Sequence, residues 1–129
     1  MSASESEPSQ VKLRSRFMEG IALFNQREFF ECHEVLEEVW KQQNGADKQV
    51  TQGIIQIAVA YYHYLRANRN GALKLLQKGL SRLQPYGPEF CGLLLGDFIS
   101  AVQSDQLAIS ESKPVEELIL PQIPVVLKS

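Results

Sequence analysis

The chain has 129 residues, of which 44% are hydrophobic and 22% are charged, and its formal net charge is −2. This composition is typical of a single globular domain and not of a disordered or fibrous chain. The slightly negative charge gives no support to nucleic-acid binding. No apolar run reaches the about 20 residues that a membrane-spanning helix needs, so no membrane segment is predicted.

Residues 1–8 are rich in serine and glutamate and predict a disordered tail. The tail does not resemble a secretory signal, since it is polar and acidic. Cys32 and Cys91 lack the Cys-x-x-Cys or Cys/His spacing of a metal finger. We therefore expect a reducing compartment, which is the cytoplasm, or the plastid stroma if the source is a photosynthetic eukaryote.

Apolar residues recur at helical spacing in five segments. The predicted helices cover about residues 9–25, 28–43, 48–67, 71–84 and 89–105. Ser9 and Asp47 are the expected N-caps of the first and third helices, and Gly45 is expected to end the second in a left-handed conformation. Pro85 ends the fourth helix, and Pro88 fits the first turn of the fifth.

The C-terminal segment contains three prolines within residues 114–129 and cannot continue a helix. We predict that it lies extended across the helices. The predicted fold is all-α, a five-helix bundle of two antiparallel helical hairpins plus a closing helix and an extended C-terminal arm. The predicted divisions are a tail at 1–8, a bundle domain at 9–108 and an arm at 109–129.

The two predicted hairpins align when the sequence is shifted by 40 residues. The shift pairs Phe24 with Tyr64, Cys32 with Ala72, Leu36 with Leu76 and Trp40 with Leu80. The small residues Cys32 and Ala72 are expected where antiparallel helices cross closely, which favours a structural over a reactive role for this thiol. The same shift places His33 on Leu73, so a histidine occupies a position that packs as leucine in the other hairpin.

A polar cluster is predicted between the second and third helices. At 3.6 residues per turn, one stripe of the second helix contains Phe29, His33, Leu36, Glu37 and Trp40. The third helix carries Gln52, Gln56 and His63 on one line. Because consecutive helices joined by a short loop pack as antiparallel neighbours, the two polar lines are expected to face each other in an enclosed cluster, beside Glu34 and with Trp40 as a wall.

Two interpretations of this cluster remain open. An imidazole and a carboxylate four residues apart on a helix can share a divalent metal with a second histidine, which makes His33, Glu37 and His63 candidate ligands. A small-molecule site is the related alternative. The other interpretation is a hydrogen-bond network that fixes the register of the helices, since neither the doubled Glu-x-x-His of di-iron bundles nor a His-Glu-x-x-His zinc motif is present. No cofactor is therefore predicted beyond this metal.

A second candidate surface is basic. Between Gln49 and Pro88 there is no aspartate or glutamate, whereas five basic residues form a ridge, which are Arg66, Arg69, Lys74, Lys78 and Arg82. Such a ridge binds phosphate, RNA or an acidic protein, or it is a solvated face balanced by the acidic second helix. The negative net charge and the absence of interleaved aromatic residues favour the solvated face over nucleic-acid binding.

The motifs resemble a known family. The run His33-Glu34-x-x-Glu37-x-x-Trp40, followed by Gln52-Gly53-x-x-Gln56, is similar to the hallmark of the proteins grouped as domain of unknown function 309. The resemblance covers about residues 10–105 and implies a compact helical bundle without an established activity. Arg27 stands where this family more often has glycine.

These observations lead to two hypotheses for the function. The first is a non-enzymatic adaptor or structural module, with a protein partner or a second copy of the chain as its binding partner. The second is a small enzyme or a metal- or ligand-binding protein that uses the His33, Glu37, Gln52 and Gln56 cluster. The absence of a complete catalytic constellation favours the first.

Overall fold

The computed structural model describes residues 2–126, with residues 2–8 described by their backbone alone. Five α-helices follow one another: α1 (Ser2–Asn25), α2 (Phe29–Trp40), α3 (Gly45–Leu65), α4 (Arg69–Leu83) and α5 (Leu95–Ser110). Each packs against the next in the chain. Two short 3-10 helices are Gln84–Tyr86 and Val115–Glu117, and residues 2–126 contain isolated β-bridges but no strand. The predicted all-α class with five helices is confirmed.

The first four helices lie close to their predicted positions, and two differences concern their starts. Helix α1 begins at Ser2 and not at Ser9. The predicted disorder of residues 1–8 stays a prediction, and Met1 lies outside the described residues. Asn44 is the N-cap residue of α3, so Asp47 falls in the first turn of that helix. Gly45 has the predicted left-handed backbone, with φ of 60°, but it does not end the second helix as predicted. Helix α2 ends at Trp40, and Gly45 is the first residue of α3.

The predicted start of the fifth helix was wrong. Helix α5 begins at Leu95, six residues after the expected position. The segment before it is a loop in which the backbones of Phe90 and Leu93 exchange hydrogen bonds of 3.0 and 2.9 Å. Cys91 and Gly92 within this loop have φ angles of 48° and 85°, which a right-handed helix cannot contain. Pro88 therefore precedes a turn and not a helix.

The two hairpins share the same turn. Arg27 has φ of 65° in the α1–α2 turn, and Ala67 has φ of 63° in the α3–α4 turn. The hydrogen bonds also correspond: Arg27 N donates to Phe24 O and Ala67 N to Tyr64 O, whereas Glu28 N donates to Leu23 O and Asn68 N to His63 O. Every partner in the second turn lies 40 residues after its counterpart. The repeat seen in the sequence is therefore also a repeat of backbone geometry.

The core is organised around Phe24, at the end of α1. Its ring contacts Phe29 edge-on at 5.2 Å and Phe98 at 5.3 Å, between ring centroids. Tyr61 stacks on Phe29 at 5.4 Å. Helices α1, α2, α3 and α5 thus meet through aromatic side chains, which bury large apolar areas and prefer such edge and stacked contacts. Cys32 and Ala72 are fully buried at the corresponding positions of the two hairpins.

The arm after α5 is fixed to the bundle by two polar side chains. Asp105 is 1% exposed and accepts hydrogen bonds from Tyr61 Oη at 2.6 Å, Ile119 N at 2.6 Å and Leu120 N at 2.9 Å. Asn25 accepts from Ile123 N at 2.6 Å and donates to Ile123 O at 3.2 Å. The predicted arm therefore lies along the helices through Val126, while residues 127–129 lie outside the described part.

Candidate functional site

The buried face of α2 differs from the stripe predicted from the sequence. Its members are Phe29, Cys32, Val35, Leu36 and Val39. This face is rotated away from His33 and Trp40, which are partly buried at its edge, and Glu34 and Glu37 are exposed. The prediction that His33 and Glu37 interrupt the apolar face from within was therefore wrong. His33 and Glu37 lie at the edge of the buried face of α2, because Val35 and Val39 complete that face on the side away from them.

His33 and Glu37 do contact each other. His33 Nε2 lies 3.3 Å from Glu37 Oε2, and the side chains are 29% and 49% exposed. Both groups therefore reach water. A side-chain pair this exposed contributes about 0–1 kcal/mol, because water competes for its hydrogen bonds and screens charge.

Two glutamines of α3 contact Arg82 of α4. Gln56 Oε1 accepts a hydrogen bond from Arg82 Nε at 3.2 Å, and Arg82 Nη1 donates to Gln49 Oε1. Gln52 and His63 are partly buried on the same line of α3. Among the described residues no hydrogen bond joins these side chains to His33 or Glu37. The structure thus separates the predicted cluster into a pair on α2 and a line on α3, and it does not enclose them.

The described part of the chain contains no group of three or more His, Cys, Asp or Glu side chains placed to hold a metal ion. His33 and Glu37 supply two ligands, which is one fewer than a zinc site with an open position requires. A role for the pair with a ligand stays a prediction.

An exposed aromatic patch lies beside the His33–Glu37 pair, and it was not predicted from the sequence. Phe30 is 49% exposed and its ring lies 5.7 Å from that of Tyr62. Arg66 places its guanidinium 4.6 Å from the centroid of Tyr62, on the α3 side. His33 lies 6.3 Å from Phe30, and His63 lies 6.1 Å from Tyr62. We call these five residues the Phe30–Tyr62 patch.

The signal for this patch was present in two aromatic doublets. Phe29-Phe30 and Tyr61-Tyr62 each place one ring in the core and the next about 100° away on the surface. The buried members stack at 5.4 Å and the outer members lie at 5.7 Å. Trp40 lies at the other end of the α2–α3 seam, with the Lys48 ammonium 4.3 Å from its ring centroid.

Some residues of the basic ridge form hydrogen bonds within the chain, and others are exposed to solvent. Arg69 donates to the carbonyls of Ile109 and Ser110 at 2.9 and 2.8 Å, so it caps the C-terminus of α5. Arg82 is held by the glutamines of α3, as described above. Lys74 and Lys78 are exposed on α4, and neither forms an ion pair with a described residue. The accessible cations of the ridge are therefore these two lysines together with Arg66.

The thiol of Cys32 is not part of any site. Burial raises its pKa from the ordinary value to about 12, so the thiol stays protonated at neutral pH. The structural role expected from its small size is consistent with its full burial. In the described residues no helix is both long and apolar enough to span a membrane.

These features define a small all-α protein of repeated helical hairpins that carries an aromatic and basic face. Residues 17–75 match the family described as Domain of unknown function (DUF309), so the chain carries a DUF309 domain, as the sequence resemblance implied. The uncharacterized protein YpuF of Bacillus subtilis (strain 168) is 38% identical over 98 residues. The aligned part is 74% of this chain and 56% of YpuF, so the chain spans little more than half of that relative.

Proposed function

We propose that this protein is a non-enzymatic adaptor whose binding surface is the Phe30–Tyr62 patch. The observation that carries the proposal is the exposed Phe30 ring. It packs on the ring of Tyr62, and the Arg66 guanidinium lies over that tyrosine ring. Aromatic and arginine side chains are the residues that contribute most to protein–protein affinity when a partner covers them. The patch already holds its rings in contact with each other, so little side-chain freedom is lost on binding.

The charges around the patch specify the partner. On one side the α2 surface is acidic, with Glu31, Glu34 and Glu37 exposed. On the other side Arg66 is followed along α4 by the unpaired Lys74 and Lys78. A protein segment with an apolar anchor for Phe30 and carboxylates for these three cations fits this arrangement, since opposite charges steer association and like charges oppose it.

Affinity capture from the source lysate, followed by measurement of Kd for the captured protein, tests this proposal. We expect Phe30→Ala to weaken binding by about tenfold or more, the effect typical of a central contact residue. The charge reversal of Arg66, Lys74 and Lys78 to glutamate should weaken binding further, and added salt should then strengthen binding, because it screens the new repulsion.

Leu107→Ala is the matched control, because Leu107 is also a large exposed apolar side chain, 59% exposed, but lies on α5. The control variant should bind as the unaltered protein does. Equal binding by Phe30→Ala and Leu107→Ala would contradict the proposed surface.

The alternative, a small enzyme or ligand-binding protein that uses His33, Glu37, Gln52 and Gln56, is supported by the accessible His33–Glu37 pair. Native mass spectrometry of freshly purified protein distinguishes it from the adaptor. A metal or small molecule that is retained by the unaltered chain and lost in His33→Ala would support the alternative.

A further inference from the structure

A cavity of about 1000 Å³ lies at the end of the bundle opposite the Phe30–Tyr62 patch. Its walls come from the middle of α1, from the α2–α3 turn with the first turns of α3, and from the loop before α5. Asp47 in this cavity and Tyr62 in the patch are separated by about 20 Å along α3, at 1.5 Å per residue. The two surfaces are therefore independent.

Two buried oxygen atoms in the cavity wall lack partners. Thr51 Oγ1 and Gln43 Oε1 are buried and form no hydrogen bond with the described residues. Thr51 is 0% exposed. Buried polar atoms in folded proteins nearly always have a hydrogen-bond partner. Both unpartnered atoms belong to residues that line the same cavity, so a molecule bound there can donate a hydrogen bond to each of them.

The charges of the cavity favour a cation. Asp47 and Glu89 are exposed carboxylates in its wall, and neither forms an ion pair with a described residue. Arg14 is the one basic residue among the lining residues, and it is already engaged. Its Nη2 donates to Cys91 O at 2.9 Å, and its guanidinium lies 5.7 Å from the ring centroid of Phe17. The cavity thus carries one excess negative charge.

The α3 side of the cavity carries three oxygen atoms that can accept hydrogen bonds from a cation, and they belong to Asp47, Thr51 and Gln43. Asp47 and Thr51 are four residues apart and share one face of α3, and Gln43 precedes them in the turn. A carboxylate, an amide oxygen and a hydroxyl oxygen together match the three N–H donors of an ammonium group. The remaining wall is mixed: it includes the apolar Phe17 and Phe90 beside polar residues such as Gln10 and Gln42.

We propose that this cavity binds a small organic cation, in which a primary ammonium group is attached to an apolar body. The ammonium meets Asp47, Gln43 Oε1 and the Thr51 hydroxyl. The apolar body packs on Phe17 and Phe90, which are the aromatic residues of the wall.

Three probes of similar shape test the proposal on the full chain: 2-phenylethylamine, 2-phenylethanol and phenylacetate. Isothermal titration calorimetry should show saturable binding of the amine, about tenfold weaker binding of the alcohol and none of the anion, because only the cation gains from the carboxylates. Thr51→Val and Asp47→Asn should each weaken binding of the amine about tenfold, the effect of one lost hydrogen bond to a charged group. Asp97→Asn is the control, since Asp97 is an exposed carboxylate of α5 outside the cavity.

The fold of Thr51→Val is checked by its melting temperature, which should stay level or rise because the variant removes an unpartnered hydroxyl without changing the shape. A loss of binding in a variant that melts normally therefore reports on the site. Absence of amine binding up to about 10 mM, equal binding of amine and alcohol, or amine binding that neither variant weakens would overturn the proposal.

Discussion

Helices α5 and α2 both carry ionisable residues at or near their apolar face, and the surroundings of these residues differ. Asp105 on α5 is 1% exposed and accepts three hydrogen bonds, from one side chain and two backbone amides. His33 and Glu37 on α2 are 29% and 49% exposed and contact mainly each other. A buried carboxylate is retained where several distant donors converge on it, whereas a pair at the edge of a stripe can remain in water.

The largest expected effect separates these two cases directly. Asp105→Ala should lower the free energy of unfolding by about 3–5 kcal/mol, because it removes the acceptor of the buried Tyr61 hydroxyl and of the part-buried backbone amides of Ile119 and Leu120. Urea denaturation measures the change. Asp97→Ala, on the exposed side of the first turn of the same helix, should lower it by no more than about 1 kcal/mol, the effect of one carboxylate near a helix N-terminus. A loss below about 1 kcal/mol for Asp105→Ala would show that these hydrogen bonds do not fix the arm.

The pH dependence of stability gives a second, intermediate effect. Burial raises the pKa of Tyr61 above its ordinary value, and the Asp105 carboxylate raises it further. The folded state therefore holds the phenol proton more tightly than the unfolded state. This stabilisation is complete below the unfolded pKa of about 10 and is lost as the pH rises above it, by about 1.4 kcal/mol per pH unit.

Tyr61→Phe should remove this part of the slope. It should also cost about 1–2 kcal/mol at neutral pH, because Asp105 loses one of its three donors. Denaturation curves at several pH values between neutral and alkaline compare the two proteins. Parallel pH profiles would mean that Tyr61 is not protected from ionisation in the folded state.

The smallest effect belongs to the pair on α2. A double-mutant cycle of His33→Leu, Glu37→Leu and the combined variant should give a coupling energy of about 0.3–0.5 kcal/mol, as expected for an exposed pair four residues apart on a helix. Thermal melts supply the four stabilities. A coupling above about 1.5 kcal/mol would place the pair in a buried network like that of Asp105, and a coupling of zero would show that the two side chains do not interact.

The sequence predicted those parts of the fold in which local pattern and tertiary packing agree. Helical periodicity located α1 to α4, and the 40-residue shift indicated the repeat of the two hairpins. The start of α5 was missed because apolar Phe90 and Leu94 continue the helical pattern backward, whereas hydrogen bonds between Phe90 and Leu93 form a loop there.

The candidate site was predicted less well. The pair His33 and Glu37 was identified, but the burial of α2 was assigned to the wrong edge, since a helix of 12 residues leaves the direction of its apolar face sensitive to single positions such as Val35. The role of Asp105 depends on Ile119 and Leu120, which belong to an arm without periodicity. Partners of that kind become visible only when the chain is folded.

The shared turn geometry suggests how a further helical hairpin could be added to the bundle. Helix α5 packs on α4 as α3 packs on α2, so it occupies the place where a third hairpin would begin. An additional helical hairpin of about 40 residues could be inserted between Trp40 and Gly45. Its first helix would pack on α2 and its second helix on α3, as consecutive helices pack in the existing bundle. The aromatic core limits such growth, because Phe24 of α1 contacts Phe98 of α5 and Phe29 of α2 stacks on Tyr61 of α3, and an inserted hairpin would have to replace both contacts.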